Sequence, residues 1–249
     1  MNGLKLISTG RALPQTAVSN DDMRRYVETS DEWIASRTGI RQRYFCGEGE
    51  TATTLAIDAA QKALAASCLN PSEIGCVLVA TSSGEYVMPS TACLVHAALG
   101  LTQDIPAMDV GAACAGFLFA METARGLLLA NQKRYALVIG AEQMSSVLDM
   151  TDRNTCVLFG DGAGAAIFEL CDVPFAITLG ARGDEAIHAG GPCRTGSAPI
   201  SMDGRAVFRF AVDALPRCLH AVLDETQLAL DDVDWVVCHQ ANSRIIDHC

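Results

Sequence analysis

The stretch Asp109–Phe117, DVGAACAGF, predicts a buried strand that runs through a turn of small residues into a helix. Strand-like and helix-like runs of this kind alternate along the 249 residues, which indicates an α/β fold. The other runs with strand character are Cys76–Ala80, Pro106–Val110, Tyr135–Gly140 and Ala165–Leu170. Helices are predicted over Thr53–Ser67, Pro89–Leu99, Gly116–Leu129 and Val207–Asp224.

Part of this order of elements is repeated later in the chain. LAIDAA at Leu55–Ala60 resembles FAVDAL at Phe210–Leu215, and the strand-like run Ile74–Ala80 aligns with Val233–His239. Two amphipathic helices can resemble each other by chance, but the shared order and spacing favour a duplication.

The duplication predicts two halves, 1–172 and 173–249. In this alignment Cys249 corresponds to position 90 of the first half, so we expect the second half to lack roughly 80 residues. The sequence is therefore expected to be truncated at its C-terminal end.

Composition and charge narrow the class of protein. Half of the residues are apolar and 19% are charged, which is typical of a folded domain with a large core. The net charge of −11 disfavours a nucleic-acid partner, because phosphate binding needs a basic face. The apolar runs are about as long as strands, and the N-terminus does not resemble a signal peptide. We therefore expect no membrane span and a cytoplasmic location.

The cysteines fit a reducing compartment. Their number, 11, is odd, their spacing is irregular, and no C-x-x-C pair occurs. This pattern disfavours both a disulfide framework and a metal site.

Cys114 is expected to lie in the turn between a strand and a helix. Free N–H groups at a helix N-terminus favour a thiolate, and such a setting can lower a cysteine pKa from about 8.5 to roughly 3.5–7.5. The small flanking residues leave room for a ligand. The alternative is a packed core cysteine, and the local context alone leaves both open.

His239 follows the C-terminal end of a predicted buried strand, where α/β folds build their sites. A structural histidine is the alternative. In a duplicated fold the two strand ends approach each other across a pseudo-twofold axis. That arrangement would bring Cys114 and His239 together.

A third cluster places one tryptophan and three arginines within the eleven residues Trp33–Arg43. A flat aromatic ring beside guanidinium groups suits an adenine ring and phosphates. The alternative is an exposed amphipathic helix with a half-buried tryptophan. By contrast, the glycines of Gly160–Gly164 are expected to form a tight turn and not a dinucleotide loop, because a strand and not a helix follows them.

Taken in order, six segments of the chain resemble the β-ketoacyl-acyl-carrier-protein synthase III family of the thiolase-like superfamily. They are Thr29–Ile34, Arg37–Ile40, Asp109–Phe117, Thr151–Arg153, Phe159–Ala165 and His239–Asn242. The resemblance covers essentially the whole chain. It implies a thiolase-like α/β fold of five layers, αβαβα, built from two duplicated halves of which the second is incomplete here, and a homodimer.

The resemblance also implies an acyltransferase that starts fatty-acid synthesis. Cys114 would take the acyl group of acetyl-CoA, or of another short acyl-CoA, as a thioester. Decarboxylation of malonyl-acyl-carrier protein would then give a carbanion that attacks this thioester, yielding 3-oxoacyl-acyl-carrier protein. No cofactor is implied beyond the coenzyme A (CoA) thioester substrate, and no metal, nucleic acid or membrane.

Individual roles follow from matching positions. Cys114 and His239 match the catalytic residues, and His239 would stabilise enolate-like charge on the malonyl thioester. Met88 falls at the acyl pocket, where the family often has Phe, and Arg244 matches a contact to the acidic carrier protein. Positions that match CoA contacts are Thr29, Trp33, Arg37, Arg153, Gly204, Phe208 and Asn242, with Trp33 and Arg153 expected to sandwich the adenine.

Two parts of the family pattern have no counterpart in these 249 residues. They are a second catalytic Asn, in a Gly-Asn-Thr-Ser segment, and a closing Gly-rich loop. We therefore expect weak acylation and badly impaired condensation. The alternatives are a related thiolase-fold condensing or acyl-transfer enzyme of secondary metabolism, and an inactive truncated form.

Overall fold

The structure, a computed structural model, describes residues 2–101, 104–190 and 199–249. The chain divides into two compact units. The sheet unit comprises Met1–Thr16, Tyr44–Gln143 and Gly160–Phe175. The pocket unit comprises Ala17–Arg43, Met144–Phe159 and Ala176–Cys249. The predicted halves 1–172 and 173–249 describe an internal duplication, which compactness does not measure, so that division stays a prediction.

Every strand and helix predicted before residue 227 is present, with ends that differ by a few residues. The strands are β1 Gly3–Ala12, β2 Thr16–Ser19, β3 Gln42–Phe45, β4 Ile74–Ala80, β5 Ala107–Val110, β6 Tyr135–Gln143, β7 Asp161–Cys171, β8 Ile187–His188 and β9 Ser201–Met202. The α-helices are α1 Asp31–Thr38, α2 Ala52–Ser67, α3 Thr91–Ala98, α4 Gly116–Asn131, α5 Gly204–Thr226 and α6 Ser243–Ile246.

One mixed sheet forms the centre of the sheet unit, in the strand order β1–β7–β6–β4–β5. β4 runs parallel to both β5 and β6, and β7 is antiparallel to β1 and β6. Val77 and Val79 of β4 pack with α2 and α3, while Cys76 and Leu78 pack with α4 on the opposite face. Helices thus cover both faces, which is why β4 is buried at every residue. Burying each of its large aliphatic side chains stabilises the unit by roughly 1.5–3 kcal/mol.

The C-terminal ends of β4, β5 and β6 lie at one edge of this sheet, because the three strands are parallel. In register, Ala80 is the partner of both Val110 and Gly140. Polar side chains just beyond these three residues are therefore brought close together.

Residues 113–131 are long and apolar enough to cross a membrane, judged by length and composition, and no other described helix is. The sequence-based expectation concerned uninterrupted apolar runs, and Glu122 and Arg125 interrupt this stretch. Its residues Ala120, Ala124 and Leu128 are fully buried in the layer that packs on β4 and β6. α4 is therefore a core helix of the fold.

Two details differ from the sequence-based expectation. Gly162 and Gly164 lie inside β7, paired with β6, and do not form a turn. The strand expected at Val233–His239 is not formed, and Trp235 and Val237 are 85% and 87% exposed. A strand needs a neighbour to accept and donate its backbone hydrogen bonds, and no described strand pairs with this segment.

Candidate functional site

Cys114 lies in a single 3-10 turn, Ala113–Ala115, between β5 and α4. Ala113 has a φ of 44°, in the left-handed region that residues other than glycine rarely adopt. Such strain costs of order 1–3 kcal/mol and persists only where the surrounding packing holds it. Part of that packing is the start of α4, since a Cβ at Gly116 would meet the Cβ of Ala80 at 3.0 Å. The turn therefore fixes the position of Cys114 against the end of β4.

The thiol of Cys114 is exposed, as a nucleophile must be. Desolvation by the protein atoms around it nevertheless raises its pKa above the ordinary value. A backbone hydrogen bond lowers this pKa, and the negative charge of Glu142 raises it further. The pKa of Cys114 thus lies above its ordinary value and not below it, because desolvation outweighs the lowering effect of the backbone hydrogen bond.

Glu142, near the end of β6, holds the loop that follows β4. Its carboxylate accepts a hydrogen bond from the backbone N–H of Ser82 at 2.8 Å and another from the hydroxyl of Ser83. The Ser83 hydroxyl oxygen accepts from the N–H of Gln143 at 2.7 Å. Burial raises the pKa of Glu142, and the hydrogen bonds oppose that shift. Glu142 was not anticipated from the sequence, although a carboxylate two residues beyond a predicted buried strand was an available signal.

A second carboxylate at this edge of the sheet is already engaged. Both oxygens of Asp109 on β5 accept backbone N–H groups, from Thr91 and Ala92, each at 2.8 Å. Asp109 therefore caps the start of α3. It is not placed to act as a base for Cys114.

Met88, the predicted acyl-pocket residue, lies in the loop between β4 and α3. It is 79% exposed and precedes Pro89 through a cis peptide bond. Its neighbours Tyr86 and Val87 are exposed as well. Its role in the acyl pocket stays a prediction.

In the pocket unit, α1 presents Trp33. The hydroxyl of Ser30 caps this eight-residue helix by accepting the N–H of Trp33 at 3.1 Å. Gly39 ends the helix with a φ of 78°, and a Cβ there would lie 2.9 Å from Ser243. Because so short a helix is marginal alone, its caps and its packing on α6 hold Trp33 in place.

Two guanidinium groups stack on the half-buried indole of Trp33. Arg37 lies 4.6 Å and Arg153 4.7 Å from the ring centroid. Arg153 also donates to the carbonyl oxygen of Glu28 at 3.2 Å. An aromatic ring between Trp33 and Arg153 would need two contacts of about 3.5 Å, or roughly 7 Å in all. The adenine sandwich is therefore not preformed, and Arg153 must move off the indole to admit a ring.

A cavity of about 730 Å³ adjoins this stack. Its walls come from α1, the turn at 151–158, the start of α5 and the region of α6. Six of the seven predicted CoA-binding residues and the predicted carrier contact line it: Trp33, Arg37, Arg153, Gly204, Phe208, Asn242 and Arg244. Arg205 and Arg209 also line it and were not anticipated from the sequence. Among the described residues no carboxylate lines the cavity, so its lining is strongly basic.

Several of these residues also have structural contacts. Asn242 caps α6 by accepting the N–H of Arg244 at 2.9 Å, and Arg244 donates to the carbonyl oxygen of Ser36 at 2.9 Å. The rings of Phe208 and His248 are 5.8 Å apart. These contacts orient the lining before any ligand arrives.

Thr29, the seventh predicted CoA contact, lies outside the cavity lining. Its hydroxyl oxygen is buried and has no hydrogen-bond partner in the described part of the chain. A buried hydroxyl of this kind is costly, so a ligand that reached it would satisfy it.

His239 belongs to the pocket unit, and its residue as a whole is exposed. Protein atoms near its ring nevertheless desolvate the imidazole and lower its pKa. Cys114 belongs to the sheet unit. The meeting of the two side chains therefore stays a prediction.

Comparisons with known proteins place the chain in a family. The family model for 3-oxoacyl-[acyl-carrier-protein (ACP)] synthase III matches residues 108–182, which include Cys114 and Arg153. A beta-ketoacyl-[acyl-carrier-protein] synthase III of Rhizorhabdus wittichii is 45% identical over 250 residues, covering 97% of this chain and 78% of the relative.

Solved structures agree. The crystal structure of 3-oxoacyl-[acyl-carrier-protein] synthase III from Aquifex aeolicus VF5 has a TM-score of 0.91 at 38% identity, over 99% of this chain and 79% of that one. The priming beta-ketosynthase of the R1128 polyketide biosynthetic pathway has a TM-score of 0.86 at 32% identity, over 99% of this chain and 77% of that one. The thiolase-like α/β fold is confirmed, and the chain belongs to the β-ketoacyl-[acyl-carrier-protein] synthase III family.

Proposed function

We propose that this protein transfers the acyl group of acetyl-CoA, or of another short acyl-CoA, to Cys114 and condenses it with malonyl-acyl-carrier protein. Family membership gives the reaction class, that of an acyl-transferring condensing enzyme of fatty-acid synthesis. The observation that supports CoA as the substrate is the cavity, which is lined by five arginines although the chain has a net charge of −11. A ligand with an aromatic ring and several phosphates, as CoA has, matches this lining.

In the first half-reaction the sulfur of Cys114 attacks the thioester carbonyl of acyl-CoA. The bond from carbon to the CoA sulfur breaks, and the proton lost by Cys114 ends on CoA. We assign part of the oxyanion hole to backbone N–H groups in the first turn of α4. The pKa of Cys114 is raised by desolvation, so the thiol starts this step protonated.

In the second half-reaction the malonyl carboxylate leaves as CO₂, and its electron pair forms an enolate on the carrier thioester. The enolate carbon attacks the acyl carbonyl, and the thiolate of Cys114 leaves. We assign the donor for the enolate oxygen to His239. Its lowered pKa favours a neutral imidazole, which donates one N–H without changing its charge.

We assign docking of the acidic carrier protein to the basic rim of the cavity, with Arg244 as its principal contact. Arg244 is exposed, and among the described residues its guanidinium donates one hydrogen bond, to the carbonyl oxygen of Ser36. Five N–H donors are available on an arginine, so others remain for a partner carboxylate.

We also propose that two copies pair through β5. This strand is the edge of the five-stranded sheet, where backbone N–H and C=O groups can pair with another strand. Met108 on β5 and Leu118 on the following helix are exposed apolar side chains. Sedimentation of wild type against Met108→Lys tests this, since a charged residue at the pairing strand should give monomers.

A second candidate function has one observation in its favour, namely the similarity to a priming β-ketosynthase of polyketide synthesis. In this second candidate function the chain would form the same acyl-Cys intermediate and pass the acyl group to another acceptor. Screening malonyl-acyl-carrier protein against malonyl-CoA separates the two.

The two half-reactions are best tested separately. Radiolabelled acetyl-CoA should label wild type and Cys93→Ala, which removes another exposed cysteine of the sheet unit, but not Cys114→Ala. Release of labelled 3-oxoacyl-carrier protein then reports condensation. The proposal is wrong if folded wild type is not labelled by acetyl-CoA, or if Cys114→Ala is labelled.

A further inference from the structure

A buried polar network joins the two walls of the Trp33 stack. We propose that Arg43 and Asn20 are positioning residues that hold α1 and the turn at 151–158 in register, so that an adenine ring fits between Trp33 and Arg153. The inference rests on the proposed function for the identity of the ligand. The network itself is a property of the pocket unit alone.

Arg43 is the centre of the network and is only 5% exposed. Its Nη2 donates to Oδ1 of Asn20 at 2.7 Å and to the carbonyl oxygen of Val157 at 3.0 Å. Its Nη1 donates to the carbonyl oxygen of Val18 at 3.3 Å. In the described part of the chain no carboxylate pairs with Arg43, and its Nε has no acceptor.

Asn20, which is 1% exposed, extends the network to both ends of α1. Its Nδ2 donates to Oδ1 of Asp31, the first residue of the helix, at 2.8 Å. The same nitrogen donates to the carbonyl oxygen of Ile40, two residues past the helix, also at 2.8 Å. Both ends of the helix that carries Trp33 are thereby tied to one amide group.

Val157 extends the network in the other direction, to the turn that carries Arg153. Val157, Arg153 and Asn154 all line the cavity. The two walls of the adenine slot are therefore both fixed to the guanidinium of Arg43.

Stability alone does not account for this arrangement. A buried charge without a counter-ion is costly, and an apolar side chain of similar size is often at least as stable in such a place. A planar guanidinium with fixed donor directions does what an apolar side chain cannot, because it sets the spacing and orientation of the two groups that it joins. A slot that must accept a flat ring needs that control.

The test is CoA binding, followed through the fluorescence of Trp33 in a Trp235→Phe background. The variants are Arg43→Gln, Arg43→Lys and Asn20→Asp. Arg24→Gln is the matched control, because Arg24 is exposed, pairs with Asp21 at 3.3 Å and is not among the cavity-lining residues. Free phosphopantetheine, which lacks the adenine, serves as a second probe.

If loss of the network leaves the slot aligned about a tenth of the time, Kd for CoA rises about tenfold. KM for acyl-CoA should rise with it, while kcat and phosphopantetheine binding stay unchanged. Arg43→Lys keeps the positive charge but loses the planar guanidinium with its fixed donor directions, so it should also weaken CoA binding. Arg24→Gln should bind as wild type does.

Asn20→Asp places a second carboxylate against Asp31 and should weaken binding while Arg43 stays in place. Adding Asp31→Asn restores a donor and acceptor pair at that contact but not the hydrogen bond to the carbonyl oxygen of Ile40, so CoA binding should recover in part. These two variants test the proposal if Arg43→Gln does not fold, with circular dichroism showing that Asn20→Asp is folded when its CoA affinity is measured.

Wild type that does not bind CoA overturns the proposed function and this inference with it. Wild type that binds CoA, with Arg43 and Asn20 variants within about twofold of it, overturns this inference alone. A fall in kcat at unchanged KM would also overturn it, because the network is argued to act on the nucleotide slot and not on the reacting atoms.

Discussion

Replacing Trp33 by alanine removes the aromatic face on which we propose that the adenine of CoA stacks. Stacking of a base on an aromatic side chain is worth about 1–3 kcal/mol. In the free protein Arg153 already occupies that face, at 4.7 Å from the ring centroid, and a ligand must displace it. That displaced contact is worth about 0.5–1 kcal/mol at an exposed site.

The difference between the two ranges is about 0–2.5 kcal/mol with a midpoint of about 1.3 kcal/mol, so Trp33→Ala should raise Kd for CoA roughly tenfold. Phosphopantetheine has no adenine, so its Kd should not change. Isothermal titration of both ligands measures the two effects directly. Trp235→Ala is the matched control, since Trp235 is the other tryptophan and is 85% exposed.

Two results would refute this reasoning. One is a change in Kd for CoA below about twofold in Trp33→Ala. The other is an equal loss of affinity for CoA and phosphopantetheine, which would mean that the substitution had disturbed the cavity as a whole and that the adenine does not stack on Trp33.

Three further predictions follow from other parts of the structure. Ser30→Ala should lower the free energy of unfolding by about 1 kcal/mol through loss of the α1 cap, whereas Ser30→Asp should retain it, as urea denaturation would show. Iodoacetamide should modify Cys114 faster as pH rises past the ordinary thiol pKa of about 8.5, and Glu142→Gln should move that rise to lower pH because a negative charge is lost. A rise centred below the ordinary pKa in wild type would contradict this. Ile139→Ala, at a fully buried site of β6, should cost about 2–5 kcal/mol in the same denaturation assay, and Leu6→Ala, at a 54% exposed site of β1, clearly less.

The elements of the sheet unit could be predicted because their signals are local. β4 is a short apolar run between a capped turn at Asn70–Glu73 and a polar loop. In α2 and α4 apolar residues recur every three to four positions, as at Ala120, Ala124 and Leu128, which is the helical period. The same reasoning failed at Val233–His239, where the residues favour a strand but no described strand pairs with them.

The residue types of the site could be predicted from the sequence, but its hydrogen-bond network and its pKa values could not. Cys114, Trp33 and Arg153 stand in recognisable motifs. The network of Arg43 does not stand in a recognisable motif. The partners of Arg43 lie 23 and 114 positions away along the chain, at Asn20 and Val157, so the network leaves no local pattern. The direction of the Cys114 pKa was likewise out of reach, since desolvation depends on chain segments that meet only in the folded protein.

That raised pKa agrees with the proton balance of the proposed acylation. Exchange of the acyl group between two thiols begins with a protonated Cys114 and ends with protonated CoA, so no proton needs to be stored elsewhere. A thiol with a raised pKa is also less open to alkylation and oxidation at rest. Because the exchange replaces one thioester by another, its bond energies favour neither side strongly. Binding of the nucleotide end of the substrate then contributes to the rate of the step. For this reason Trp33→Ala should slow acylation by acetyl-CoA and leave acylation by acetyl-phosphopantetheine unchanged.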